Sequence, residues 1–569
     1  MPKTLKTLAL WGVPLAFLAT FYFYPLASIL GLSLSGAEGG ALSPFAEALR
    51  SASARRVLWF TFWQAALSVL LTLLAGLPGA YFLARYRFRG KSLVRALTGV
   101  AFVMPTLVVA AGFTALLGPK GLVNAGLMSF FNLERPPIEF TNTLTAILTA
   151  HVFYNVSIVL RLVGDFWARL DPRMEQAART LGANRWQTFR RVTLPLLSPA
   201  IVSAALLIFI FDFTSFGVVL VLGGPRFATL EVEIYYQTVS LFNLPLAAVL
   251  SIIQLLCTLA LTLAYTRLTR TLARPLTQRS RAATQKRLTS VRSRIFAGLT
   301  IGFLLILTTT PLAALATRSV TVPQGRSATP ARGGSPAPGL TLDFYRALSQ
   351  NEQQSLFYVT PATAVAISLG YAAATVVLAL VLGFPAAWAL SHDRRSKVSR
   401  ALDPLLMLPL GTSAVTLGLG FIVALDTPPL DLRASPLLIP IAHTLVAFPF
   451  VVRSLTPALR SIQPKLRQAA AVLGATPRQA LWHVEFPLIA RAALVAAVFA
   501  FTISIGEFGA TALVARPEYP TIPIVIYRYL SHPGWLNYGQ AMALSTILMT
   551  VTLLGMLAIE RLRIGGEEF

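Results

Sequence analysis

Apolar residues run through this chain in stretches long enough to cross a bilayer, separated by short polar segments. The stretches fall near 8–33, 57–84, 95–117, 142–164, 193–222 and 242–267, then near 294–317, 360–391, 402–425, 436–455, 487–515 and 538–561. A hydrocarbon core needs about 20 apolar residues of helix, a length that every stretch reaches. Barrel strands would alternate in polarity and be only about half as long. The pattern therefore predicts twelve membrane-spanning helices. The first stretch follows Lys3 and Lys6 as a signal peptide would, but it is too long for the apolar core of one and is predicted to remain as the first span.

Composition agrees: 55% of residues are hydrophobic and 12% charged, about half the charged fraction of a soluble domain, which is roughly 25%. Glycine and proline are scattered without period, which excludes a collagenous or disordered chain. The lone Cys257 excludes a disulfide framework or a thiolate metal site. The excess of 48 Lys and Arg over 22 Asp and Glu would suggest nucleic acid in a soluble protein. Here the basic residues lie in the connections between spans, without interleaved stacking aromatics. Nucleic acid is excluded as a partner on that ground, and contact with anionic membrane lipids is expected. Arg85, Arg87, Arg89, Lys91 and Arg95 follow the second stretch, and 269–294 holds eight basic residues and no acid. Segments 161–191 and 453–491 are also Arg-rich, whereas 318–358, with its Ser, Gly and Pro, carries few charges in proportion. Basic loops stay cytoplasmic, so twelve spans put these loops and both termini on the cytoplasmic side.

The chain repeats itself. Gln176-Ala-Ala-Arg-Thr-Leu-Gly182-Ala183 returns as Gln468-Ala-Ala-Ala-Val-Leu-Gly474-Ala475, and under a gapless shift of 292 residues nine of 21 positions agree between 175–195 and 467–487. The same shift pairs His151 with His443, Arg161 with Arg453, Pro172 with Pro464, Pro195 with Pro487, Gly217 with Gly509, Pro225 with Pro517, Thr229 with Thr521 and Tyr235 with Tyr527. Two related halves are implied, 1–268 and 294–569, joined by a basic cytoplasmic linker at 269–293. Six spans is an even number, so both halves face the same way and the repeat is parallel, with its pseudo-twofold axis along the membrane normal. The repeated polar segments, near 172–190 and 464–482, each predict a short helix, a glycine break, and Leu-Pro or Phe-Pro opening the next span. Small Ala177 and Ala178, or Ala469 and Ala470, leave the helix open to close approach, with Gly182 or Gly474 ending it. Two readings are open: a helix packed on its own protein, or one docking into a partner's groove.

The string Q-A-A-x-x-x-G, nine residues, then V-x-L-P (Gln176 to Pro195), and its second copy with Phe486 in the Leu place (Gln468 to Pro487), resembles the EAA loop of ABC-importer permeases, with Gln for the family's Glu. Phe213-Thr-Ser-Phe-Gly217 and Ile505-Gly-Glu-Phe-Gly509 add a likeness to fused permeases of the ferric-iron and thiamine group. The resemblance implies an all-α polytopic fold of type I: twelve transmembrane helices in two parallel six-helix repeats, in a bacterial inner membrane. It implies that Gln176, Ala177, Ala178, Gly182, Gln468, Ala469, Ala470 and Gly474 belong to coupling helices gripped by two copies of a cytoplasmic ABC ATPase. It further implies a periplasmic or lipid-anchored binding protein that delivers the substrate. ATP and Mg would bind on the ATPase and no cofactor on this chain, which fits its sequence: the nearest approach to a phosphate loop, Arg89-Gly-Lys-Ser92, has Arg85 where the first glycine belongs.

Acidic residues inside spans are costly and point to function. Asp212 and Glu507 stand out, aligned by the repeat with Ser504 and Ser215. These four are the candidate pathway residues, and the two carboxylates are the best candidates for holding a cation or metal in transit. Fe3+ is a hard ion that prefers oxygen donors, and thiamine is also cationic; ferric iron is placed first, with thiamine or another small solute such as sulfate, molybdate or phosphonate as the alternative. The structural alternative is that each carboxylate accepts bonds from a neighbouring helix or broken turn. Beyond the same spans, Glu231, Glu233, Glu518 and Tyr519 are candidate outer-gate or binding-protein contacts, and the paired His151 and His443 suggest shared packing geometry. A secondary transporter would also suit twelve spans, but it does not explain the duplicated polar helices. A membrane enzyme would need a nucleophile–base or metal constellation, and none is present in the sequence.

Overall fold

The computed structural model describes residues 3–35, 40, 42–272, 285–322, 339–350, 359–392, 397–426, 428 and 430–564. Part of the linker (273–284) and much of the 318–358 segment lie outside the described residues. Six apolar spans form the first half: Leu10–Leu34, Ala52–Arg85, Thr106–Phe131, Leu144–Arg169, Arg185–Phe213 and Leu244–Thr269. The second half has Val291–Arg318, Pro361–Ser391, a pair bent by 95° (Val398–Gly411 with Ala414–Ala424), Leu438–Ser461, Arg478–Gly506 and Trp535–Arg561. The predicted count of twelve is met when the bent pair is taken as one span.

Four predicted spans are broken where the sequence implied continuity. The 95–117 stretch divides into helices Lys91–Val103 and Thr106–Leu117. Met104 is extended there because it precedes Pro105, whose ring disfavours helical backbone in its neighbour. In the second half the bend falls at Ser413, whose hydroxyl accepts from the amides of Val415 and Thr416 and opens a new helix. The 193–222 stretch breaks after Phe213 and resumes at Gly217, and 487–515 breaks after Gly506 and resumes at Thr511. Hydropathy is blind to such breaks because the backbone groups they free are satisfied inside the protein, away from lipid.

The halves are interlocked. Helix Thr106–Leu117 of the first half packs on Val291–Arg318, the opening span of the second. Symmetrically, Ala414–Ala424 packs on Tyr24–Leu34, in the opening span of the first half. Each crossing has a glycine at the point of contact: a Cβ on Gly112 would sit 2.9 Å from the Pro311 carbonyl oxygen, and one on Gly420 would sit 2.9 Å from Pro25 Cβ. Small residues let membrane helices approach this closely. We expect Gly112→Leu to lower the thermal transition of the detergent-solubilised protein, since overpacking costs about 1–3 kcal/mol. Gly126→Leu, with nothing within 4 Å of its Cβ position, should leave the transition nearly unmoved.

The repeat register holds in three dimensions. Thr61 Oγ1 accepts from the Leu230 amide at 3.0 Å and Ser368 Oγ from the Ile522 amide at 2.8 Å; Leu230 and Ile522 are aligned by the 292-residue shift. Helices Leu230–Val239 and Ile522–Ser531 are thereby tied by the same device to the second span of their own half. Of the linker, Lys286–Arg287 pairs in parallel with Tyr86–Arg87, which pins it to the basic loop after the second span.

Candidate functional site

Both duplicated polar segments form the predicted short helices, Pro172–Thr180 and Pro464–Val472. Asp171 caps the first through the Arg173 amide. Each helix ends in the same way: Leu181 N and Ala183 N donate to Ala177 O and Ala178 O, and Leu473 N and Ala475 N to Ala469 O and Ala470 O. That closure needs a left-handed residue, and Gly182 (φ +89°) and Gly474 (φ +82°) supply it. A Cβ at either glycine would meet nothing within 4 Å, so within this chain backbone conformation, not crowding, explains the glycine. Gln176, Ala177, Gln468 and Ala469 are exposed, Ala178 is half-buried and Ala470 buried. Beside each glycine stands a bare leucine, Leu181 at 88% and Leu473 at 85% exposure.

Past the glycines the symmetry continues. Asn184 and Gln187 exchange backbone–side-chain bonds in a capping box, as do Thr476 and Gln479. A π-helical turn follows at Phe189–Thr193 and at Leu481–Glu485, immediately before Leu194-Pro195 and Phe486-Pro487. The wider turn accommodates prolines that lack an N–H and would crowd the preceding carbonyls, which is the physical content of the V-x-L-P string. The first segment is also clamped to its own half: Arg85 donates to Glu175 at 2.6 Å and to the Leu170 carbonyl, and Thr193 donates to Glu175 at 3.1 Å. The aligned residue of the second copy is Arg467, so the carboxylate of that clamp is not repeated at the aligned position.

A cavity of about 370 Å³ lies between the halves where the helix breaks converge, and Asp212, Ser215 and Glu507 are all in its lining. Phe216 and Phe508, aligned by the repeat, stack across the interface with ring centroids 5.3 Å apart, backed by Tyr235 and Tyr527 at 5.4 and 5.5 Å. This quartet was missed as a site in the sequence, although the 292-residue shift pairs its members. From Pro195 to Asp212 the helix rises roughly 25 Å at about 1.5 Å per residue, which sets the cavity far from the coupling segments.

The two carboxylates are held differently. Asp212 is 2% exposed; its Oδ1 accepts from Asn155 Nδ2 at 2.7 Å and lies 3.6 Å from His151 Nδ1, while His151 Nε2 meets Ser215 Oγ at 2.9 Å. Glu507 accepts from the amides of Ala510 and Thr511 at 2.9 and 3.1 Å and from the Thr511 hydroxyl at 2.6 Å, with His443 Nε2 at 3.3 Å. It caps the resumed helix. Ser504, unlike its three companions, is not in the cavity lining; it bonds His443 Nδ1 at 2.8 Å and Thr375 at 3.1 Å. Among the described residues no three His, Cys, Asp or Glu side chains group as a metal site.

The outer candidates separate. Glu518 and Tyr519 are exposed, and Glu233 is half-buried and accepts from Gln237 at 2.7 Å. Glu231 does not face outward as expected: at 1% exposure it accepts from Gln254 of its own half and Ser413 of the other. A carboxylate with two buried donors tying the halves together is not available to an external protein.

The sequence model of a family described as the binding-protein-dependent transport system inner membrane component matches residues 76–274 and again 379–563, once in each half. The chain is 29% identical over 564 residues to a thiamine transport system permease protein of Brucella abortus (strain 2308), covering 98% of this chain and 95% of that one. It is 29% identical over 507 residues to the thiamine transport system permease protein of Escherichia coli (strain K12), covering 87% and 88%. A crystal structure of a bacterial alginate ABC transporter in complex with an alginate pentasaccharide-bound periplasmic protein aligns with 47% of this chain and 94% of that one, at 18% identity and a TM-score of 0.39.

Proposed function

The chain belongs to the family of binding-protein-dependent transport system inner membrane components, and on that premise we propose that it is the fused permease of an ATP-driven thiamine importer. The observation that carries the substrate is the end-to-end likeness to thiamine permeases, over 98% of the chain in the Brucella case. Ferric iron, placed first on sequence grounds, gives way to its alternative: the likeness is to thiamine permeases, and the described residues group no set of metal-ligating side chains.

In this reading two ATPase subunits grip the segments around Gly182 and Gly474. Each bare leucine beside a glycine offers an apolar knob for a groove on the partner. ATP-driven closure of the ATPase pair moves both segments together. Capped helix, π-helical turn and long span form one lever, so the movement rocks one half against the other. The stacked Phe216 and Phe508 then part, and the cavity receives cargo from a binding protein docked at the end of the bundle remote from the ATPase, near Glu518 and Tyr519.

The test is uptake by proteoliposomes holding the permease, its ATPase and a thiamine-loaded binding protein. Saturable, ATP-dependent thiamine accumulation is expected. Accumulation of Fe3+ from an iron-loaded binding protein, with none of thiamine, would return the first choice.

A further inference from the structure

We propose that the first half alone supplies a charged binding site in the cavity, in which Asp212 is the counter-ion of a small organic cation held among aromatic rings. The proposal deepens the thiamine reading and rests on its premise that the cargo is a cation.

Pseudo-symmetry provides an internal control. Asn155, which donates to Asp212, is aligned with Ala447; Tyr154 is aligned with Val446, and Asp212 itself with Ser504. Ser504 donates to Thr375, and Thr375 stands seven residues beyond Ser368 just as Ser68 stands beyond Thr61. The second half thus builds the same helices from Val446, Ala447 and Ser504. The carboxylate, amide and phenol of the first half are not what the fold requires.

The first half also leaves these polar groups partly unpartnered. Asp212 Oδ2, His151 Nδ1 and Gln64 Oε1 are buried and lack a hydrogen bond of ordinary geometry, the Ser68 hydroxyl being the neighbour of the carboxylate. Gln64 uses its nitrogen to donate to the Asp212 backbone carbonyl at 2.9 Å. A carboxylate in the membrane interior with a vacant oxygen is costly unless a positive charge meets it. Glu507 is committed elsewhere: its two oxygens already accept from the Ala510 and Thr511 amides and the Thr511 hydroxyl.

Chemistry and size narrow the ligand. The cavity of about 370 Å³ is lined by Phe102, Tyr154, Phe211, Phe216 and Phe508. Aromatic faces attract an organic cation and stack on a flat ring, and the volume is at the small end of ligand pockets, about 300–1,000 Å³. A bare metal ion would find Asp212 and a Glu507 already engaged with the Ala510 and Thr511 amides, whereas a heteroaromatic cation finds both the charge and the walls.

The experiment compares wild-type, Asp212→Ser and Asp212→Glu permeases in complex with ATPase and binding protein. Thiamine uptake is measured against concentration, and thermal unfolding is followed in parallel. Asp212→Ser copies a residue the aligned position already tolerates. We expect it to unfold within a few degrees of wild type, with KM for uptake raised at least about tenfold and Asp212→Glu recovering part of the loss. Wild-type thiamine uptake that Asp212→Ser leaves unchanged would overturn this site and keep the thiamine reading. Uptake of a different organic cation, lost in Asp212→Ser, would remove thiamine and keep the site. Transport of neutral or anionic cargo alone would overturn both.

Discussion

The double variant Gly182→Arg, Gly474→Arg is expected to lose ATP-driven uptake altogether while the permease itself stays folded. A Cβ built at either glycine meets no atom of the rest of the chain within 4 Å. What holds glycine there is the left-handed backbone that closes each short helix, and forcing another residue into it costs roughly 1–2 kcal/mol. Two such penalties lie in exposed segments, outside the interlocked core of spans. The arginine side chains have another effect. They project a bulky charge beside Leu181 and Leu473, bare apolar residues of the two segments, where the partner's groove must close. Gly182→Ala with Gly474→Ala separates the two costs, because it strains the backbone equally without adding the charge; uptake should be lowered by a fewfold at most. The checks are ATPase co-purification, uptake in proteoliposomes and the thermal transition of the permease. Full uptake by the double arginine variant would show that these segments are not where the motor grips.

Much of this architecture can be read from the chain because membrane helices announce themselves by length and the repeat keeps one register. A shift of 292 residues aligns not only the motif but also the turns at Phe189 and Leu481, the capping boxes at Asn184 and Thr476, and the stacked Phe216 and Phe508. Hydropathy averages over a window, so it could not show the chain turning at Pro105 and Ser413 or parting at Thr214 and Glu507. Those interruptions make the cavity, and so the site was the less legible part. Glu231 illustrates the limit. From the sequence it is a carboxylate just beyond a span; its burial depends on Ser413 of the other half arriving opposite, and no local pattern encodes that meeting. Asn155 carried a signal that pattern matching overlooks: the repeat pairs it with Ala447, and a departure from symmetry beside a conserved-in-register histidine marks a place where one half does something its sister does not.

Removal of the Glu507 carboxylate is expected to injure the fold rather than the cargo site. In Glu507→Ala the amides of Ala510 and Thr511, the Thr511 hydroxyl and His443 Nε2 lose the acceptor they share. All of this is buried, so water cannot substitute freely. Hydrogen bonds to a charged group contribute about 1.5–3 kcal/mol each, and deleting one partner of a buried network costs about 3–5 kcal/mol. A loss in that range is a large share of any protein's stability, and the thermal transition should fall by many degrees, with uptake declining as folded protein is lost. Glu507→Gln retains one acceptor oxygen but turns a donor toward the Thr511 donors or the Ala510 amide, so its loss should be intermediate. The contrast with Asp212→Ser is decisive, because the two carboxylates line one cavity yet differ in what they hold. Glu507 fixes the resumed helix, whereas Asp212 takes one hydrogen bond from the Asn155 side chain, and Ser504 fills its place in the second half. Unfolding curves for Glu507→Ala and Asp212→Ser, measured side by side in detergent, separate the roles. A wild-type transition in Glu507→Ala, accompanied by lost uptake, would make Glu507 a cargo ligand and leave the helix break to be held by its serine, threonine and histidine neighbours alone.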